Sequence, residues 1–394
     1  MNVLERFQGG QRLLRAASAL AGIGLVATAI GFAVDLGQTL LSYLTALAYW
    51  LGIALGALFL LAIFHASNAK WPVVVRRMLE KMSMTTIIFV PLFLPIALGM
   101  KHLFLWAGSG DDLDQKTRAL IDHRSSYLNV PFFLLRAAIY FALWVLVARA
   151  LQLWSERQDA TGDLGLTIKQ RRLGAFSLPF LGLSVTFASF DWLMSLDVTW
   201  YSTIFGVYCW AGAFVAAIAL LILITVFGRG PNLYNSLVSA EHYQNLGNLL
   251  FAFVIFWAYI AFSQFLLVWI ADLPGEVHWF LARTTGKWRP IAIALAVGHF
   301  VLPFFALLPS EVKRNGKALG LVAAWVLVFH YLDVYWIVTP AHRPDSPVPR
   351  WTDPTALLFI GALAVAFTAW SLRGRYTIPV GDPYLLASLR FRRP

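Results

Sequence analysis

Cysteine and charge are both scarce in this chain. Of its 394 residues 13% are charged, 59% are hydrophobic, and one is a cysteine, Cys209. A single thiol excludes an internal disulfide, a thiolate-held iron–sulfur cluster and a Cys-x-x-Cys-His haem attachment site within the chain. The shortage of charge excludes an ordinary water-soluble domain. Redox centres of those kinds would have to belong to partner proteins.

The sequence is instead rich in long hydrophobic runs. Ten runs are long enough to cross a bilayer as helices. They cover residues 16–34, 44–64, 84–106, 130–150, 173–193, 203–227, 247–270, 289–309, 317–339 and 354–372. Short connections at 35–43, 194–202 and 310–316 make neighbouring helices antiparallel. The sequence predicts an all-α integral membrane protein with about ten transmembrane helices, of which the fifth and tenth give the weakest signals.

Basic residues outnumber acidic ones, 31 to 20, which gives a net charge of +11. In a soluble protein this excess would suggest nucleic acid, but here the cations cluster in alternate connections beside helix ends. They therefore indicate orientation in the membrane, and no nucleic-acid partner is expected. Both termini are predicted to be cytoplasmic. At the C-terminus Arg390, Arg392 and Arg393 are expected to meet anionic lipid head groups.

Five ionisable side chains inside the predicted helices are the candidate functional residues: Arg136, Asp191, His299, His330 and Asp333. An ionisable group near the bilayer centre costs about 2.5–3.5 kcal/mol on insertion scales, so it usually faces protein or water and marks a functional site. A rise of about 1.5 Å per residue places His299 near the middle and the other four in the outer half. Such a one-sided set of acids and imidazoles is what a proton-releasing site facing outward would need.

Each candidate also has a simpler explanation. Arg136 with Asp191 or Asp333 would form a buried ion pair that fixes helix packing, and His330 with Asp333 would only link helices. His299 with His330 is the one pair that would suit a bis-histidine haem, although no ligand pair has the i, i+4 spacing of a helical metal motif. Five neighbouring side chains are expected to extend any hydrogen-bond network: Tyr140, Tyr259, Gln264, Tyr331 and Tyr335.

Six stretches of the chain look like more than generic membrane helix. They are residues 190–197 (FDWLMSLD), 200–208 (WYSTIFGVY), 256–264 (FWAYIAFSQ), 298–305 (GHFVLPFF), 330–336 (HYLDVYW) and 379–383 (PVGDP). With these stretches the chain, from about residue 84 onward, resembles a membrane subunit of bacterial alternative complex III, a quinol:cytochrome c oxidoreductase. The broader family is that of polysulfide-reductase-like membrane anchors. Length and tail favour the shorter, second quinone-binding-type subunit, and of the five candidates only Arg136 lies outside the motifs.

The resemblance implies an organisation and a set of partners. Residues 1–43 would hold the N-terminal segment and first helix, 44–193 and 194–339 two antiparallel four-helix bundles, and 340–394 the last helix with a cytoplasmic tail. The partners would be a second homologous membrane subunit, an outward-facing iron–sulfur protein and c-type cytochromes, in the bacterial cytoplasmic membrane. Haem and iron–sulfur clusters would lie on those partners. This chain would bind no covalent cofactor, and a bound quinone, menaquinone or ubiquinone, is left open.

The expected function is that of an integral subunit of a respiratory quinol:cytochrome c oxidoreductase. It would contribute a proton path or a quinol-proximal pocket while electrons pass through partner subunits. A secondary transporter, which also needs buried charge near the midplane, and a purely structural anchor are the alternatives. Transport is less favoured because the runs show no pair of Gly- or Pro-broken helices in equivalent positions of two halves.

Overall fold

The structure is a computed structural model that describes residues 6–108, 113–228, 233–234 and 237–392; Arg393 lies outside these ranges. Within them, ten helical units are long and apolar enough to cross a membrane, so the predicted fold class is confirmed. We number them α1 (Gln11–Val34), α2 (Leu36–Ala66), α3 (Val73–Leu98), α4 (Val130–Thr161), α5 (Leu164–Leu196), α6 (Phe205–Phe227), α7 (Ala240–Ala271), α8 (Gly286–Leu307), α9 (Gly316–Ala341) and α10 (Thr352–Leu372). The chain is a multi-pass integral membrane protein.

The ten units form two antiparallel four-helix bundles with a flanking pair. Helices α2 to α5 pack as one ring of neighbours and α6 to α9 as another, while α1 packs along α10 and both rest on α2. The bundles meet closely where α2 crosses α6, since a Cβ added to Gly56 would lie 2.3 Å from the carbonyl oxygen of Ala213. Only glycine permits this backbone approach.

The segment before α1 and the segment after α10 meet at one end of the molecule, which we call the terminal face; the other end is the opposite face. Here Phe7 donates its backbone N–H to the Arg375 carbonyl at 2.8 Å, and Gly374 donates to the Phe7 carbonyl at 2.8 Å. Short helices connect the spans or end the chain, and they comprise Gln115–Arg124, Pro274–Thr284, Ser310–Arg314 and Leu385–Leu389.

The second helix begins earlier than its hydrophobic run. The sequence predicts a connection at 35–43, but α2 starts at Leu36 and the connection shrinks to Asp35, whose side chain caps the helix by accepting from the Gln38 N–H at 3.0 Å. The polar residues Gln38, Thr39 and Ser42, which suggested a loop, are buried residues of this helix. Ser42, for example, donates to the Asp353 carboxylate at 2.5 Å across the α2–α10 contact.

Two spans are interrupted near prolines. The α3 unit consists of Val73–Met84, Thr86–Leu92 and Leu94–Leu98, and its second break, at Phe93, lies between Pro91 and Pro95, which lack the N–H groups that would continue the helix. The α8 unit passes through a π-helical segment, Ala296–Val301, between Arg289–Leu295 and Leu302–Leu307. Pro303 has no N–H to give the His299 carbonyl, which is where α-helical bonding fails.

Candidate functional site

Asp333 lies at the centre of the second bundle. Its side chain, on α9, belongs to a residue only 2% exposed. The Tyr208 hydroxyl of α6 donates to one carboxylate oxygen, and the Trp257 indole N–H of α7 donates to the other at 3.2 Å. Three helices therefore converge on one carboxyl group, and both of its contacts from other helices are neutral donors.

No arginine or lysine of the described residues forms an ion pair with Asp333. The nearest basic group is the His330 imidazole, one turn earlier on α9, whose Nδ1 lies 3.9 Å from a carboxylate oxygen and has no hydrogen-bond partner. Keeping a buried carboxylate ionised without a cation costs free energy. Such a group therefore takes up a proton more readily than a carboxylate that is paired with an arginine. This arrangement suits proton transfer better than it suits helix packing.

A glycine on α6 makes room for the imidazole. A Cβ added to Gly212 would lie 2.7 Å from Cε1 of His330 and 3.7 Å from a carboxylate oxygen of Asp333. A side chain at this position would therefore push the imidazole away from the carboxylate.

His299 is buried beside this pair, and neither ring nitrogen has a hydrogen-bond partner among the residues that the structure describes. Its ring centroid lies 4.1 Å from that of Trp257 and 6.0 Å from that of His330. It belongs to the π-helical segment of α8, which the Trp325 indole holds by donating to the Gly298 carbonyl at 2.7 Å. Buried groups without partners usually have a role or an unseen ligand, so His299 is part of the candidate site.

An apolar groove leads from the membrane surface to Asp333. It has a volume of about 590 Å³ and runs between α7, α8 and the connecting helix Pro274–Thr284. Its mouth is formed by Tyr259 and Phe262, which are 64% and 60% exposed. Its inner end is formed by Asp333, Tyr208 and Trp257. We call this the α7–α8 groove. Its size lies within the range of small-molecule and cofactor pockets.

A second, small cavity touches the other side of the same pair. It has a volume of about 80 Å³ and lies between the bundles, lined by His330, Asp333, Ser189 and Cys209 among others. This volume gives room for ordered water. Asp333 therefore stands between a groove open to lipid and an interior cavity, which is a suitable place for a group that passes a proton from one to the other.

Asp191 and Arg136 form a different cluster, at the opposite-face end of the first bundle. Arg136 donates two hydrogen bonds to the Asp191 carboxylate, at 2.8 and 2.9 Å, and the Tyr140 hydroxyl donates a third at 2.9 Å. The guanidinium also lies over the rings of Tyr127 and Phe132, at 3.9 and 4.3 Å. Of the two carboxylates that the sequence offered to Arg136, the structure pairs it with Asp191. This bidentate buried pair has the geometry of a packing element.

The five side chains expected to extend the network behave differently from one another. Tyr140 bonds Asp191, and Tyr335 donates to the Pro347 carbonyl at 3.2 Å. Gln264 lines the α7–α8 groove, with its side-chain N–H₂ buried and unpartnered. Tyr259 points outward at the groove mouth, and the Tyr331 hydroxyl has no partner among the described residues. Gln264 therefore adds to the groove a buried polar group that has no partner among the described residues.

Three residues near the site escaped sequence reasoning: Tyr208, Trp257 and Arg283. The first two lie in motif stretches but look like ordinary membrane aromatics. Arg283, in the connecting helix, is 3% exposed and donates to the carbonyls of Trp336 and Ile337 at the end of α9. Burial lowers the pKa of its guanidinium to about 9. Arg283 falls in the connection between the seventh and eighth hydrophobic runs, and a cation in such a connection gives no sign of burial.

The terminal face holds a buried charge network that sequence reasoning attributed to membrane orientation. Within the described residues, three predicted loop cations are in ion pairs, namely Arg76 with Asp382, Arg77 with Glu80 and Asp159, and Lys81 with Glu156. Arg375 also bonds Glu156. The tail motif at residues 379–383 packs closely against α4 beside this network: a Cβ added to Gly381 would lie only 2.1 Å from the Gln158 carbonyl oxygen. The network fixes the C-terminal tail to α3 and α4.

Comparison with known proteins leaves the function to be argued from these side chains. No protein-family model matches the chain, and no curated protein matches it significantly. Among the described residues, no group of three or more His, Cys, Asp or Glu side chains is arranged to hold a metal ion.

Proposed function

We propose that this chain is an integral membrane subunit of a respiratory quinol:cytochrome c oxidoreductase complex, in which Asp333 accepts a proton beside a quinol-proximal pocket. The observation that carries the proposal is the position of Asp333: a buried carboxylate without a cationic partner at the inner end of the α7–α8 groove. Its neighbours His330 and His299 offer further proton-accepting nitrogens without hydrogen-bond partners.

The groove supports a quinol as the ligand. A quinol is a flat ring on an apolar tail, and it reaches its enzymes from within the bilayer. The groove is open to lipid, lined mainly by apolar and aromatic side chains, and polar at its inner end. Among the described residues, the unpartnered side-chain N–H₂ of Gln264 supplies a donor and Asp333 supplies an acceptor, which suits a ring oxygen with its hydroxyl.

The chemistry divides between this chain and its partners. Oxidation of a quinol to a quinone releases two protons and two electrons. Asp333 accepts a proton, and the small cavity beside His330, although lined mainly by apolar side chains, would be the first step of a route away from it. The electrons pass to an iron–sulfur cluster or haem on a partner subunit, since Cys209 alone cannot hold a thiolate-bound cluster.

The proposed partners follow from the resemblance: a second membrane subunit of the same fold, an iron–sulfur protein and c-type cytochromes. The proposed location is the bacterial cytoplasmic membrane with the terminal face in the cytoplasm. Exposed arginines at that face support this orientation, among them Arg12, Arg15 and Arg373. Asp333 then lies in the outer half of the bilayer, on the side where quinol oxidation would release its protons.

The geometry favours this proposal over a secondary transporter. Transporters with internal repeats place broken helices at corresponding positions of the two halves. Here the broken helices are α3, the second of its bundle, and α8, the third of its bundle. The breaks therefore do not correspond.

Purification from the native membrane tests the proposal. We expect the tagged chain to bring down haem-containing subunits and to reduce cytochrome c when a quinol is added. Addition of a quinone-site inhibitor should abolish the reduction. Isolation of a haem-free monomer that takes up a substrate into vesicles would contradict the proposal and favour transport. A haem-containing complex whose turnover does not depend on the groove would leave this chain as an anchor.

A further inference from the structure

A second large cavity lies in the half of the molecule nearer the terminal face, away from Asp333. It has a volume of about 600 Å³ and is enclosed by α1, α2, α3, α6 and α10. Its walls are almost wholly apolar and include Ile53, Met78, Met82, Leu220, Leu223 and Ala364. Leu13 and Phe227 line it and are 55% and 83% exposed, so the cavity is open toward lipid. We call it the terminal-face cavity.

Within the part of the chain that the structure describes, the interior of this cavity offers no free side-chain donor to a polar ligand group. The side chains that line it and carry hydrogen-bonding atoms are Trp50, Thr85 and Thr368. Each one bonds a backbone carbonyl: Trp50 that of Leu357 at 3.1 Å, Thr85 that of Met82 at 2.6 Å, and Thr368 that of Ala364 at 2.8 Å. A quinone ring would find no donor here, in contrast to the α7–α8 groove. The interior therefore suits a hydrocarbon chain.

Three exposed arginines, which we call the rim arginines, lie next in the sequence to residues that line the cavity. Phe7 and Leu13 line the cavity from the start of α1, where Arg6 and Arg12 adjoin them in the sequence, and Arg373 follows the lining residue Leu372. The three arginines are exposed, and none is in an ion pair within the ranges that the structure describes. This contrasts with Arg76, Arg77 and Lys81 of the same face, whose charges are balanced by carboxylates.

We infer that the terminal-face cavity binds an anionic phospholipid of the surrounding leaflet. Acyl chain would fill the apolar interior through the lateral opening, and the phosphate would meet the arginines of the rim. Hydrocarbon alone gives no preference among lipids, because every lipid carries it. Selectivity would therefore come from the rim, where each basic side chain near an anionic lipid surface favours binding by about fivefold.

Native mass spectrometry of the complex tests this inference. The intact protein is equilibrated with vesicles containing equal amounts of phosphatidylglycerol and phosphatidylethanolamine, and the retained lipid is identified. We expect retained phosphatidylglycerol to exceed phosphatidylethanolamine by at least about tenfold. The double variant Arg12→Gln/Arg373→Gln should lower this preference by about tenfold or more, since two rim charges are removed.

Two further variants separate the cavity from general surface charge. Arg171→Gln/Arg172→Gln removes the same charge from exposed arginines of α5 that do not line the cavity, and should leave the preference unchanged. Ala364→Phe places a ring inside the cavity and should abolish lipid retention of either kind while the rim stays intact. The inference is overturned if retained lipid follows the vesicle composition, if both double variants act equally, or if a quinone is retained in place of phospholipid.

Discussion

Replacement of Asp333 by asparagine separates a role in proton transfer from a role in packing. Asparagine has the same shape, and both neutral contacts can be rebuilt: Trp257 donates to the amide oxygen, and the amide N–H₂ donates to the Tyr208 hydroxyl oxygen. Only the tyrosine O–H then loses its partner, and a buried donor left without an acceptor costs about 1–3 kcal/mol. The fold should survive this change.

The effect on turnover should be much larger than the effect on stability. A positioned general base typically contributes about 100- to 10,000-fold to the rate, and asparagine cannot accept the proton. We therefore expect quinol-dependent cytochrome c reduction to fall by about 100-fold or more. The assay measures cytochrome reduction and proton release together in vesicles, with haem content and thermal unfolding as measures of assembly.

Asp353→Asn is the matched control. Asp353 is 3% exposed, lies toward the opposite face like Asp333, and accepts from the Ser42 hydroxyl and the Arg350 N–H at 2.5 and 2.7 Å. It belongs to α10, outside both bundles, so turnover should be unchanged. Normal turnover and proton yield in an assembled Asp333→Asn complex would refute the reasoning. Loss of assembly without a change in specific activity would identify Asp333 as a packing residue.

Three other substitutions have different expected outcomes. Asp191→Asn should destabilise the protein by about 3–5 kcal/mol, measured as a fall in Tm, because it leaves a buried guanidinium uncompensated. Gly212→Ala should lower turnover, because the added Cβ would lie 2.7 Å from the His330 imidazole. The overpacking should also lower the stability by about 1–3 kcal/mol. Gly182→Ala is the control, because a Cβ at Gly182 would have no neighbour within 4 Å. His299→Leu should reduce turnover without loss of stability, because the imidazole has no hydrogen bond to lose.

Each of these three predictions can be contradicted by a specific result. A stable Asp191→Asn protein with low turnover would move the proton site to the first bundle. Equal turnover in the Gly212→Ala and Gly182→Ala proteins would show that the position of the imidazole is unimportant. A normal rate after His299→Leu would remove that residue from the proton route, and a lowered Tm would point to a bound group on its nitrogens.

The number and order of the spans were predictable because hydrophobic length decides them. Details at the span ends were less predictable. Ser42 and Gln38 looked like loop residues because the sequence does not show whether a polar side chain has a buried hydrogen-bond partner, as Ser42 has in Asp353. Arg76 and Lys81 looked like orientation signals for the same reason, and their partners Asp382 and Glu156 lie far away in the chain.

The candidate site was partly predictable. A count of residues along a helix gives the depth of a side chain, but it does not tell which neighbouring helix the side chain faces. Depth brought Arg136, Asp191 and Asp333 to one half of the membrane, and only the structure could decide which carboxylate the arginine meets. Tyr208 and Trp257 were missed because aromatic residues are common in membrane helices for reasons of packing.

A comparison of Asp191 with Asp333 shows why charge compensation decides the assignment. Each lies on the fourth helix of its own bundle toward the opposite face, and each accepts a hydrogen bond from a tyrosine hydroxyl. Asp191 has in addition a bidentate arginine, so its charge is balanced and a proton would have to displace that pair. Where Asp191 has an arginine, Asp333 accepts from the neutral indole of Trp257, and Asp333 also lines the α7–α8 groove. Of these two acids, only Asp333 lacks a cationic partner among the described residues, and for this reason the proposal assigns proton transfer to Asp333 and helix packing to Asp191.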